Sequence, residues 1–288
     1  MHATECSVDF CSTPAGPAGF RASVSARIPD AAAMDWPLWV YFLLFLTGLI
    51  AGLVDAIAGG GGLISVPVLL NLGLPAPLAL GTNKLQASFG SVMAAFTFVR
   101  RGVVNLRECR AGILSTMLGA LAGAAVVQWL DADLLGRLIP WLLGAILLYM
   151  IFRPQVGTQD HPPRLRWGWF YLSFGLGLGF YDGFFGPGVG SFWTIAFVVI
   201  QGCNFTRATG LTKVMNATSN VAALALFGLF GSLHLGAGLT MGAGQLIGAR
   251  LGAGLVVKKG ARFVRPIFLT MVALTLLRLL YVTFVEPR

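Results

Sequence analysis

Charge is scarce in this sequence. Charged residues make up 11% of its 288 positions, against about 25% in an ordinary soluble domain. That leaves too little polar side chain to cover a water-exposed surface, which excludes a soluble globular enzyme. Histidine is scarcer still, with three scattered residues, and the four cysteines (Cys6, Cys11, Cys109 and Cys203) form no close-spaced framework. Neither a zinc site, nor any other metal site, nor a disulfide scaffold is implied. A Gly-x-x-x-x-Gly-Lys-Ser/Thr run is absent, so this chain is not expected to hydrolyse ATP, and no cofactor is expected. The first 33 residues lack an apolar run of signal-peptide length. Because Met34-Asp35-Trp36-Pro37 leads straight into the first apolar run, residues 1–33 are expected to be a disordered tail or a mis-assigned start.

Apolar residues are abundant instead, at 56%, and the mean hydropathy is +0.79. The net charge of +9 comes from short basic clusters between apolar runs. That arrangement suits an anionic lipid surface rather than a nucleic acid. The apolar segments are 36–57, 63–74, 78–99, 111–130, 135–152, 167–184, 189–202, 207–230, 235–257 and 263–285. Those of about 20 residues or more can span roughly 30 Å of hydrocarbon. Segments 63–74 and 189–202 are too short for that and follow glycine clusters, so they read as pieces of broken helices. The expected fold is an all-α integral membrane protein, a polytopic helix bundle with 8 to 10 membrane segments.

The chain also repeats. Asp55, Gly59-Gly60-Gly61-Gly62 and Ala79-Leu80-Gly81-Thr82-Asn83-Lys84 are followed by Asp182, Gly186-Pro187-Gly188-Val189-Gly190 and Ala208-Thr209-Gly210-Leu211-Thr212-Lys213. The offset is 127 at the aspartates and 129 at the lysines. The predicted organisation is a first repeat over 34–152, a cytoplasmic linker over 153–166 and a second repeat over 167–288. Basic loops sit on the cytoplasmic side of a membrane. They follow the Lys84 segment (Arg100 to Arg110), lie between the halves (Arg153 to Arg166) and follow segment 235–257 (Lys258 to Arg265). In the first half the basic loop comes directly after the lysine segment; in the second it comes one segment later. The charge pattern has changed sides, which predicts two inverted repeats. All basic loops fall inside if the short segments cross, or nearly cross, the bilayer; re-entry remains the alternative.

Four contiguous glycines weaken a helix by about 1 kcal/mol each. Broken backbone at membrane depth is tolerated only against protein or a wet cavity. The next helical piece then starts with free amides and a partial positive charge, a natural anion site. Lys84 lies about 9 Å along its segment. At membrane depth a lysine costs roughly 2.5–3.5 kcal/mol, so Lys84 and Lys213 are expected to face a polar cavity rather than snorkel. Two cations among hydroxyls and amides suit an oxyanion. The candidate substrate-binding residues are Gly59, Gly60, Gly61, Gly62, Thr82, Asn83, Lys84, Gln86, Gly186, Gly188, Ser191, Thr212, Lys213 and Asn216. Asp55 and Asp182 either pair with the lysines, cap the broken backbone or carry a coupled proton.

The stretch Asp55-Ala-Ile-Ala-Gly-Gly-Gly-Gly-Leu-Ile-Ser-Val-Pro67 with Ala79-Leu-Gly-Thr-Asn-Lys-Leu-Gln86 resembles the sulfite exporter TauE/SafE family of membrane transporters. Gly186-Pro-Gly-Val-Gly-Ser191 with Ala208-Thr-Gly-Leu-Thr-Lys-Val-Met-Asn216 resembles it again. The resemblance runs over roughly residues 36 to 285 and implies transport of sulfur oxyanions or organosulfonates across a bacterial inner membrane. The expected function is a secondary transporter of a small anion working by alternating access, within the lipid bilayer and without nucleic acid. An anion channel is the alternative. An intramembrane enzyme is the weakest reading, since no His, Cys or Glu cluster occurs in the spans.

Overall fold

The computed structural model describes residues 36–130 and 162–259, together with Leu134 and Trp141. The expected tail over 1–33, the last segment over 263–285, nearly all of segment 135–152 and most of the linker lie outside the described residues. Within them the structure is helical. The elements are α1 (Leu38–Ala58), α2 (Gly62–Asn71), α3 (Ala76–Arg100), α4 (Arg110–Trp129), α5 (Trp167–Phe184), α6 (Val189–Val199), α7 (Phe205–Leu229) and α8 (Leu235–Lys259). They fall on the eight apolar segments expected there.

Local sequence sets the ends. Pro37 precedes α1, and Gly59 stops it in a left-handed conformation at φ 78°, which a side chain rarely adopts. Proline opens α3, where its missing N–H has no intrahelical partner. Asn204 caps α7 by accepting from the Arg207 amide at 3.0 Å.

The helices associate crosswise. α1 packs along α8, and α4 along α5. Both contacts are made by small residues four apart, which let backbones touch. Gly48 and Gly52 of α1 meet the Met241 and Gln245 carbonyls, while Gly244 and Gly248 of α8 meet those of Phe45 and Leu49. The α4–α5 seam uses Gly119 and Gly123 against Gly175, Gly179 and Gly183 in the same way. In both seams residue numbers rise together, so each pair runs parallel. Between the two seams α3 and α7 run antiparallel. Gly81, early in α3, abuts Phe227 and Ser232 beyond the end of α7, and Gly210, early in α7, abuts Phe98 and Val104.

The short helices fold back. Leu69 of α2 and Leu74 after it pack with Val40 and Leu44 at the start of α1. Phe197 of α6 stacks near Phe170 at the start of α5, with centroids 5.1 Å apart. The turn after α6 is tied to that same start by Gln201 Nε2 donating to the Leu165 carbonyl at 3.1 Å.

Burial departs from that of a soluble protein at both ends of the scale. Lys84, Asp182, Lys213, Asn83 and Asn216 are buried, whereas Leu38, Phe42, Leu46 and Ile50 line an exposed stripe on α1. By length and composition α1 and α4 are apolar enough to cross a membrane. The 25 residues each of α3 and α7 carry the polar side chains that the apolar surface hides.

Candidate functional site

The two breaks meet. A Cβ on Gly59 would lie 2.6 Å from the Gly190 Cα, and one on Gly190 would lie 2.5 Å from the Gly59 Cα. The Ser191 hydroxyl locks the crossing by donating to the Ala58 carbonyl at 2.6 Å. Gly62 rests on Pro187 of the other break. Gly60 alone of the four glycines has room for a Cβ, which would make an ordinary contact with Leu63 at 3.6 Å.

Each half then repeats one polar motif. The Ser65 hydroxyl bonds back to the Gly61 carbonyl and reaches Asn83 Oδ1 at 2.6 Å. The Thr194 hydroxyl bonds back to the Gly190 carbonyl and lies 3.1 Å from the Thr212 hydroxyl. All four positions match at the offset of 129. Gln86 Nε2 adds a bond to Asn83 Oδ1 at 2.8 Å. Asn216 sets its amide beside Gly190, with its Oδ1 buried and unpartnered.

The lysines sit at the centre and pair across the halves. Lys84 Nζ lies 2.5 Å from Asp182 Oδ1, and Lys213 Nζ lies 3.0 Å from Asp55 Oδ2. Lys84 is 1% exposed and Lys213 0%, so neither ammonium reaches the surface as a snorkelling lysine would. The carboxylates are drawn into the same centre. Asp182 accepts from Ser219 as well, Lys84 donates to Asn220 Oδ1 at 3.3 Å, and Asp55 Oδ1 receives the Gly61 amide at 3.4 Å.

The amides at the starts of the short helices are less free than their sequence suggests. Leu63, Ile64 and Ser65 donate to the Gly60 and Gly61 carbonyls, and Val189, Ser191 and Phe192 to those of Gly186 and Gly188. The positive charge at the crossing therefore rests chiefly on the two ammonium groups, each paired with an aspartate.

The structure thus gathers Gly59, Gly61, Gly62, Asn83, Lys84, Gln86, Gly186, Ser191, Thr212, Lys213 and Asn216 around the crossing, with both aspartates. Gly188 ends the second break at φ 82° and takes a conformational part. Thr82 is placed elsewhere. Its hydroxyl accepts from the His234 amide at 2.9 Å and holds the start of α8. Ser65, Thr194, Ser219 and Asn220 are members that the candidate set omits; the shared offset of the first two was the available signal. Among the described residues, no three of His, Cys, Asp and Glu converge as metal ligands.

The family model described as Sulfite exporter TauE/SafE matches residues 44–279. The chain is 43% identical over 239 residues to the probable membrane transporter protein YfcA of Escherichia coli strain K12, covering 83% of this chain and 89% of that protein. It is 42% identical over 252 residues to a probable membrane transporter protein of Haemophilus influenzae, covering 86% and 97%. A more distant relative, the probable membrane transporter protein YdhB of Bacillus subtilis, is 24% identical over 182 residues, covering 61% and 72%. No solved structure gives a significant match.

Proposed function

As the chain belongs to the sulfite exporter TauE/SafE family of membrane transporters, we propose that it is a secondary transporter of a small anion, a sulfur oxyanion or organosulfonate, working by alternating access. The family's name supplies the sulfur chemistry. The observation that carries the reading is the buried centre, where two helix breaks cross and the lysine of each half pairs with the aspartate that precedes the other half's break. Breaks of this kind supply backbone able to rearrange at membrane depth. The membrane-transporter relatives support a non-enzymatic role.

The two halves are inverted repeats, and the seams support this. Corresponding helices α3 and α7 run antiparallel. The start of α5 lies with the Arg100–Arg110 loop, while the start of α1 lies with the start of α8, at the other end. Arg207, opening α7, bonds Glu108 of that loop at 3.3 Å, and Gly254 near the end of α8 approaches Arg101. One end of the bundle therefore gathers the basic loops, which suits the cytoplasmic face of a bacterial inner membrane.

Reconstituted into proteoliposomes, the full chain is expected to give saturable flux of at least one of sulfite, thiosulfate, sulfate or a short sulfonate. Lys213→Gln removes a charge-assisted hydrogen bond worth about 1.5–3 kcal/mol. Half-saturation should rise about 10- to 100-fold. Flux that never saturates would mark a channel, and no flux of any of these anions would overturn the substrate class.

A further inference from the structure

Both lysines that would hold a substrate anion already hold a carboxylate of the opposite half, and the two arrangements differ. Asp182 is closed in. Lys84 takes one of its oxygens, the Ser219 hydroxyl takes the other, and the pair is 1% and 2% exposed at its side chains. Gly186 covers it, since a Cβ there would lie 2.7 Å from Lys84 Nζ and 3.0 Å from Asp182 Oδ1. Asp55 is held loosely. Its side chain is 15% exposed beside a fully buried Lys213, the pair is 3.0 Å apart, and its other oxygen receives the Gly61 amide at 3.4 Å, the limit of a hydrogen bond. The cause is in the sequence. From Gly59 and Gly188 onward the halves match at an offset of 129, but the aspartates match at 127. The two extra residues lie in the second break, where they place Gly186 over the charged atoms of the Lys84 pair; in the first break Gly61 packs on the Asp55 Cβ and leaves the carboxylate partly exposed.

Resting on the transport reading above, we propose that Asp55 is a built-in occupant of an oxyanion site on Lys213, released by taking up a proton, so that one proton accompanies each anion bound. The Lys84–Asp182 pair stays closed as a fixed strut. The step balances. The Asp55 carboxylate gains a proton and becomes the neutral acid, its ion pair with Lys213 breaks, and Lys213 keeps its own proton and bonds the incoming anion. A monoanion and a proton arriving together add no net charge to the buried centre, which avoids the cost of an uncompensated buried charge.

Among the described residues, Lys213 of α7 is the charged group that faces Asp55; the other cation of α7, Arg207, is exposed and paired with Glu108. Of the other helices packed on α1, α2 and α6 carry no titratable side chain, and α3 offers Lys84, which Asp182 holds, and Arg100 at its end. Arg250 and Lys258 of α8 are exposed. Among the described residues, proton exchange at Asp55 is therefore read against Lys213 and solvent.

The test uses the full chain in lipid nanodiscs, with ethanesulfonate and methanesulfonate as probes because both stay monoanions between mildly acidic and mildly alkaline buffer. Calorimetry in buffers of different ionisation enthalpy counts protons. The wild type should bind a probe about tenfold more tightly in the acidic buffer and take up about one proton per anion. In Asp55→Asn the neutral side chain no longer competes. Affinity in the alkaline buffer should rise about tenfold, as expected when a self-occluded state is removed, and both the pH dependence and the proton uptake should vanish. If that variant does not fold, the wild-type proton count decides alone. Wild-type binding without proton uptake, or acid dependence retained in Asp55→Asn, overturns the inference and leaves transport standing. Binding of neither probe also overturns it, and the flux panel then judges transport independently.

Discussion

Replacing Lys84 does two things at once. It removes a cation from the buried centre, and it strands Asp182 without its counter-charge. The second effect dominates folding, because breaking one side of a buried pair costs about 3–5 kcal/mol whereas replacing both sides is often neutral. Lys84→Gln should therefore lower the thermal unfolding temperature in detergent sharply, and Lys84→Gln with Asp182→Asn should recover most of the loss. Equal losses in the single and double variants would show that the pair contributes nothing. The lysines were legible in the sequence because a charge inside an apolar segment is conspicuous. Pairing with the aspartates was one of three alternatives, and which aspartate meets which lysine was not legible, since they lie 98 and 158 residues apart and an aspartate beside a helix break can also cap backbone. Thr82 misleads because its hydroxyl is taken by a residue 152 positions away, the His234 amide, which the local pattern does not name.

The glycine breaks are decided position by position. Gly59 needs its left-handed φ of 78° and has the Gly190 Cα where a Cβ would go. Gly60 has neither constraint. Gly59→Ala should abolish folded protein on size-exclusion chromatography, while Gly60→Ala should elute and bind as the wild type does. A run of four glycines reads as one signal in sequence, and only the crossing of the breaks separates their roles. The start of α8 adds a titrating cap. His234 Nδ1 accepts from the Ala237 amide at 3.1 Å, and the ring stacks on Trp36. Burial lowers its pKa from the ordinary histidine value. A group that resists protonation when folded contributes stability that is intact at higher pH and is lost as pH falls below the unfolded value of about 6.5. Protonation also removes the acceptor. His234→Asn supplies a cap that does not titrate, so unfolding temperature should fall less on acidification than in the wild type. An unchanged acid response would place the sensitivity elsewhere.

At the scale of the molecule, hydropathy made the helices among the described residues legible, while the crosswise seams were not. Those seams rest on glycines such as Gly48 and Gly244, whose partners periodicity does not name. They carry the final prediction, because parallel α1–α8 and α4–α5 seams with antiparallel α3 and α7 place the loops at definite ends. In a background with Cys6 and Cys11 changed to Ser, the native Cys109 and Cys203 stay silent, being buried. Burial pushes the Cys109 thiol up to about 11, so little reactive thiolate forms at neutral pH. Single cysteines replacing the exposed Arg107, Arg164 and Lys258 should resist impermeant thiol reagents in intact cells and react once the membrane is permeabilised. Cysteines replacing Asn71, exposed at the end of α2, and Asp133 should react in intact cells. Protection at 164 with labelling at 258 would place the two basic loops on opposite faces. The repeats would then be parallel, and the inverted arrangement would be wrong.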